Sequence, residues 1–123
     1  MIEYTVRVDR DRTEWYLNGE LHREDGPAVE FENGYKEWWL NGKRHRTDGP
    51  AVEWINGSKL WYQHDKLHRE DGPAIERADR SREWYLNGQE YSEQDFNKLI
   101  NCTELSIAEI EQLLGYKVKI VDK

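Results

Sequence analysis

The chain has little that could cross-link it, anchor it or drive a reaction. One cysteine, Cys102, can form no internal disulfide and no thiolate metal cluster. With no histidine near it in sequence, it reads as a small buried hydrophobe between two helical stretches. No apolar run approaches the ~18 residues of a membrane-spanning helix. The opening Met1-Ile2-Glu3-Tyr4 has neither the basic nor the apolar region of a secretion signal. A cytoplasmic protein with no membrane partner is expected. Cations are also in deficit, with 18 Lys and Arg against 25 Asp and Glu and a net charge of −7. That weighs against nucleic-acid binding, which needs surplus Lys and Arg for phosphates. There is no phosphate-cradling glycine loop. No Ser/His/Asp set exists that is not a by-product of a repeat. The expectation is a protein without catalytic residues, metal or cofactor.

What is present is aromatic and periodic. Charged residues make up 35% and hydrophobic ones only 37%, a balance that leans toward disorder. Six Trp and seven Tyr argue the other way, for a folded chain with a narrow aromatic core. Trp15, Trp38, Trp61 and Trp84 recur every 23 residues. The same shift aligns Asn18-Gly19, Asn41-Gly42 and Asn87-Gly88, with His64-Asp65 in the third copy. It aligns His22-Arg23, His45-Arg46 and His68-Arg69. It also aligns Asp25-Gly26-Pro27-Ala28, Asp48-Gly49-Pro50-Ala51 and Asp71-Gly72-Pro73-Ala74. A repeat of this length means a stacked array.

Each copy reads as a hairpin. Ala28–Glu32 alternates apolar and charged, Lys36–Leu40 is aromatic-rich, and Asn33-Gly34 between them suits a type I′ turn. The segment from Asn41-Gly42 to Asp48-Gly49-Pro50 links one hairpin to the next. Eight strands are predicted, over 4–9, 12–17, 27–32, 35–40, 50–55, 58–63, 73–78 and 81–86. They form four hairpins across residues 1–90, the first and last degenerate. Residues 91–123 read as a C-terminal cap. Ser92 begins one helix carrying Phe96, Leu99 and Ile100. Ser106 begins another that stops at Gly115, and Tyr116–Val121 alternates as a final strand. The fold class is mainly β: an elongated antiparallel meander of hairpin repeats with a small helical cap.

The period, the aromatic strands and the Asn-Gly-x-x-His step resemble MORN repeats. The variant here, Trp-Tyr-Leu-Asn-Gly-x-x-His-Arg-x-Asp-Gly-Pro-Ala, is similar to repeats in proteins of bacteriophages and giant viruses. The resemblance covers roughly residues 4–90, and the stretch from Ile107 to Val118 is similar to the tails of such phage proteins. It implies an elongated antiparallel sheet that mediates protein–protein contacts, dimerises or touches lipids, and that carries no catalytic residues in the repeat. It also implies a phage protein in a host cytoplasm, able to inhibit or redirect a host factor such as a defence protein.

Several side-chain sets are candidates for chemistry. Equivalent His22, His45 and His68 in adjacent hairpins lie about two strand spacings, ~10 Å, apart. That is too far for shared zinc ligation, so these read as structural. Asp25, Asp48 and Asp71 before Gly-Pro read as turn acceptors. Trp15, Trp38, Trp61 and Trp84 read as repeat structure. Adjacent aromatics must point to opposite faces, so one face exposes either the Trp15 row or Tyr16, Trp39, Tyr62 and Tyr85. That row, with the basic loop residues Lys43, Arg44 and Arg46, is the candidate interaction surface, since Trp and Tyr dominate interface hot spots. The alternative is a small-ligand or nucleotide binder using the His-Arg loops and Trp faces. A DNA mimic is disfavoured, because 14 basic and 19 acidic residues interleave over residues 1–91. An open array also favours a homodimer that covers an edge or face.

Overall fold

The computed structural model describes residues 3–101 and residues 112, 114 and 115. Cys102, most of the second expected helix and the expected strand Tyr116–Val121 lie outside them.

The described residues are mainly β, with fourteen short strands and the helix α1 (Glu93–Asn101). The first unit holds β1 (Thr5–Val8), β2 (Arg12–Leu17) and β3 (Glu20–Leu21). The second holds β4 (Val29–Phe31), β5 (Lys36–Glu37), β6 (Trp39–Leu40) and β7 (Lys43–Arg44). The third repeats this with β8 (Val52–Glu53), β9 (Lys59–Leu60), β10 (Tyr62–Gln63) and β11 (Lys66–Leu67). The fourth has β12 (Ile75–Glu76), β13 (Arg82–Leu86) and β14 (Gln89–Tyr91), followed by α1 (Glu93–Asn101). The main sheet is an open antiparallel meander in the order β1-β2-β4-β5-β8-β9-β12-β13-β14, with β3 beside β2.

Two features differ from the eight-strand expectation. First, the strand expected over 35–40 breaks at Trp38. Its N–H donates to the Ala51 carbonyl at 2.7 Å in the main sheet, while its carbonyl accepts from His45 N–H at 3.1 Å in a second ladder. Trp61 does the same with Ala74 and His68, and Trp15 with Ala28 and His22. Each Trp is therefore a corner. Second, Asn41-Gly42 is not part of a plain link but the turn of another hairpin, pairing Trp39 with Arg44 and Leu40 with Lys43. Both turn residues have positive φ, 50° and 75°, as a type I′ turn requires. At Asn33-Gly34 only Gly34 is positive, at 102°. There Phe31 N–H meets the Tyr35 carbonyl at 2.9 Å around a three-residue loop. That is a type I turn with a glycine bulge, not the type I′ turn expected.

Register assigns the two faces. One row runs Glu14, Val29, Glu37, Val52, Leu60, Ile75, Glu83 across successive strands. Val29, Val52 and Ile75 are buried, and this is the inner face. The opposite row runs Thr13, Glu30, Lys36, Glu53, Lys59, Glu76, Arg82. Six charges alternate in sign, so every strand faces an opposite charge on its neighbour, a pairing worth a few tenths of a kcal/mol each, about 0.2–1.

Ala28, Ala51 and Ala74 are fully buried beside the Trp corners. Over each Trp lies an arginine. The Arg23, Arg46 and Arg69 guanidinium carbons sit 4.1, 3.9 and 3.9 Å from the ring centres of Trp15, Trp38 and Trp61. Each also presses on the glycine of Asp-Gly-Pro. A Cβ on Gly26, Gly49 or Gly72 would come within 3.0, 2.8 or 2.9 Å of that guanidinium carbon. The motif is Asp-Gly-Pro because a larger second residue would displace the arginine from its Trp.

The fourth unit ends under α1. Ser92 Oγ accepts from Asp95 N–H at 3.1 Å and caps the helix, and Glu93 and Asp95 suit its positive end. Phe96 and Leu99 bury against Tyr91, with Trp84, Leu86 and Leu114 around them. Gln112 and Leu114 are helical, and Gly115 follows at φ 79°.

Candidate interaction surface

The loops that carry His and Arg spend their polar atoms inside the fold. His22 Nδ1 accepts from Asn41 N–H at 2.9 Å. His45 Nδ1 accepts from His64 N–H at 3.0 Å, and His68 Nδ1 from Asn87 N–H at 2.9 Å. Each histidine thus holds the turn of the following unit, and its proton resides on Nε2. The arginines staple their own loops. Nε of Arg23, Arg46 and Arg69 donates to Asp25, Asp48 and Asp71 at 3.0, 2.9 and 2.7 Å. Their terminal nitrogens donate to the carbonyls of Pro27, Pro50 and Pro73. The hydrogen bond from arginine, with its charge, holds the Asp48 and Asp71 carboxyls below the usual carboxylate range. Two equivalent open grooves of about 510 and 450 Å³ lie between successive loops, lined by Trp38 and His45 in one and Trp61 and His68 in the other. Arg46 belongs to this stapling.

The row Tyr16, Trp39, Tyr62 and Tyr85 is half-buried on the inner side, and so is the Trp15, Trp38, Trp61 and Trp84 row at the corners. Neither is an open aromatic face. Glu37 organises the inner side. It accepts from Tyr35 Oη at 2.5 Å, from Trp39 Nε1 at 2.9 Å and from Arg44 at 3.5 Å. Arg44 spans Trp39 and Tyr62, at 5.0 and 5.6 Å from their ring centres. Burial and the bond to Glu37 push the Tyr35 phenol far above its ordinary value, so it is a fixed donor. Lys43 is exposed at the neighbouring turn. Glu14, the equivalent of Glu37 in the first unit, pairs through Oε2 with Arg12 Nε at 3.7 Å, while its Oε1 is buried with no hydrogen bond among the described residues.

The largest exposed apolar residues are elsewhere, at the tips of the main-sheet hairpins. Trp54 is 50% exposed and Ile55 64%. The Trp54 ring packs 4.5 Å from Tyr35, which meets Phe31 edge-on at 5.4 Å. Trp54 N–H donates to the Ser58 carbonyl at 2.9 Å, closing the bulged turn. The result is a firmly held aromatic edge formed by two neighbouring hairpins. In sequence Trp54 is simply an aromatic within the strand expected over 50–55. The signal lay in the repeat alignment, where the turn position of Ile55 holds Glu32 in the second unit and Ala78 in the fourth.

No known family, curated protein or solved structure matches this chain. Among the described residues no group of three or more His, Cys, Asp or Glu can hold a metal ion, and no helix is long and apolar enough to cross a membrane.

Proposed function

We propose that this chain is a non-enzymatic protein-interaction module whose partner docks on the hairpin-tip edge centred on Trp54 and Ile55. The observation that carries this is a Trp left half exposed on a rigid turn, beside an exposed Ile in a position where the array otherwise places Glu or Ala. Exposed Trp held in one conformation loses little freedom on binding and is the commonest interface hot spot. The inner-face residues Tyr62 and Arg44, with Lys43 at the rim, extend the same surface toward the second ladder.

The small-ligand reading gains nothing from the loops, because the arginines and the histidine Nδ1 atoms that would hold a phosphate are already bonded to backbone and carboxylates. The resemblance of the repeat to those of bacteriophage proteins makes a host cytoplasmic protein, including a defence factor, the first partner to seek.

The test is affinity capture from the natural host's lysate, read by mass spectrometry, with wild-type chain and a Trp54→Ala/Ile55→Ser variant. A hot spot of about 2 kcal/mol corresponds to a ~30-fold weaker Kd, so the partner should be lost in the variant. Equal capture by both would move the site off this edge. Stoichiometric small molecule on the purified chain in native mass spectrometry would favour the ligand reading.

A further inference from the structure

The two ends of the main sheet are finished differently. At the C-terminal end, α1 sets Phe96 and Leu99 against Tyr91 and Trp84. At the other end β1 is the outermost strand, and all four of its residues are exposed, Val6 at 42% and Val8 at 72%. Asp9 N–H donates to the Arg12 carbonyl at 3.0 Å. With the β1–β2 register this makes Arg7 and Thr5 the bonded positions on the β2 side. Tyr4, Val6 and Val8 then turn their amide groups outward, and nothing among the described residues pairs with them.

We infer that β1 is the interface of a two-fold homodimer, in which it pairs antiparallel with β1 of a second copy and Val6 faces Val6. The strand is self-complementary about that residue. Two positions away on either side stand Tyr4 and Val8, which would face each other in both halves. One position away stand Thr5 and Arg7, so Arg7 would face Thr5, with Glu3, an opposite charge, on one diagonal and the second copy's Arg7 on the other. The outward amides of residues 4, 6 and 8 meet in this register. Val6 already sits opposite Trp15 in its own sheet, so the apolar row would run on without a break from one copy to the other. Moving the axis to Arg7 would set two guanidinium groups face to face. A two-fold pairing uses the same strand of both copies, so it consumes both β1 edges and closes at two.

The measurement is the mass of the full chain by light scattering and sedimentation, from about 1 to 200 µM, a range that brackets micromolar association. A dimer is expected. Val6→Pro removes only an outward N–H and leaves the bonds to β2, and Val6→Lys puts two like charges on the axis. Both should be monomers with dissociation constants at least ~30-fold higher, and with the Trp fluorescence of the wild type. If Val6→Pro does not fold, Val6→Lys decides. A monomeric wild type at 200 µM, a dimer that survives Val6→Lys, or an open-ended series of oligomers would each overturn the inference.

Discussion

The turns offer a graded test of backbone strain within one molecule. The bulged turns place Gly34 and Gly57 at φ 102° and 94°, whereas the fourth copy places Arg80 there at 73°. The left-handed region costs a residue with a Cβ about 1–2 kcal/mol. Against this, replacing it by glycine frees the unfolded chain by roughly 0.4–1 kcal/mol. Arg80→Gly should therefore stabilise by a net of about 0.5–1 kcal/mol. The reverse change is best made at Gly57, because a Cβ there would meet no atom within 4 Å. Gly57→Ala reports backbone strain alone and should cost about 1 kcal/mol. The type I′ turn of the third unit gives a second pair. Asp65, at φ 67°, stands where Gly42 has 75°, so Asp65→Gly should gain a similar amount. Gly42→Ala should lose about as much as Gly57→Ala, since the atom its Cβ would crowd is Oε2 at the end of the exposed Glu20 side chain, which can swing away. In a chain of this size 1 kcal/mol moves the melting temperature by about 4 °C. Scanning calorimetry of the five proteins, each below the concentration at which it associates, reads the order directly. A neutral Gly57→Ala together with a destabilised Arg80→Gly would refute the assignment of strain to these positions.

Other consequences follow from the same contacts. Burial, and then the charge of His64, hold the His45 imidazole below its usual value. The unfolded chain therefore binds that proton more readily, so this part of the stability is complete above about pH 6.5 and falls as pH drops below it. Urea midpoints between pH 8 and 5 should decline, and less so in a His45→Gln variant; identical profiles would contradict the role of Nδ1. At lower pH the Asp71 and Glu83 carboxyls, depressed mainly by hydrogen bonds from Arg69 and Arg77, act in the same direction. Their contribution is present above the ordinary carboxylate range and is lost as pH falls through their folded values. Gly72→Ala should cost about 1–3 kcal/mol in a urea melt by lifting Arg69 off Trp61, an overpacking effect. Phe96→Ala should cost about 3–5 kcal/mol and expose the Trp84 end, visible as a red shift in Trp emission.

The repeat itself was legible because each unit reuses the same residues for the same backbone task. Ala after Gly-Pro is buried in all three copies, and the helix cap at Ser92 follows from local chemistry. What escaped was the number of layers. Asn33-Gly34 and Asn41-Gly42 are the same dipeptide, yet they make different turns. The difference is loop length, three residues between Phe31 and Tyr35 and two between Leu40 and Lys43, and loop length depends on pairing partners far along the chain. Nothing local to Trp38 says that its N–H and its carbonyl serve different ladders. The candidate surface shifted for a related reason. Both aromatic rows were read as strand faces of one flat sheet, so one had to be open. A corner at each Trp lets the second ladder and the stapled arginines half-cover both, which leaves the hairpin tips as the exposed edge.

The same register explains why so charged a chain has a defined fold. Along the sequence Glu30 and Lys36, then Glu53 and Lys59, then Glu76 and Arg82 look like scattered surface charges. In the sheet they are consecutive members of a single outer row. A slip of two residues in any one strand keeps its apolar residues facing inward, so the core alone would tolerate it. At β5, β8, β9 and β12 that slip would break the row of alternating signs, because no like charge stands two residues from Lys36, Glu53, Lys59 or Glu76, and a one-residue slip would carry the charges to the inner face. Hydrophobic burial is thin here, with alanine and valine supplying the inner contacts, and it selects the face more than the position along it. The outer charges, although each pair is weak, penalise misregistered alternatives along the four middle strands together. Reversing one of them, as in Lys59→Glu, would set a new carboxylate between those of Glu53 and Glu76, with no cation separating them. It should cost about 1 kcal/mol or more at low salt and recover part of that at 1 M salt, where screening shortens to ~3 Å. In a Glu53→Gln/Glu76→Gln background, where no carboxylate flanks position 59 in the row, Lys59→Glu should cost far less. An undiminished cost in that background would mean that Lys59 acts through its own local contacts and not through the ladder.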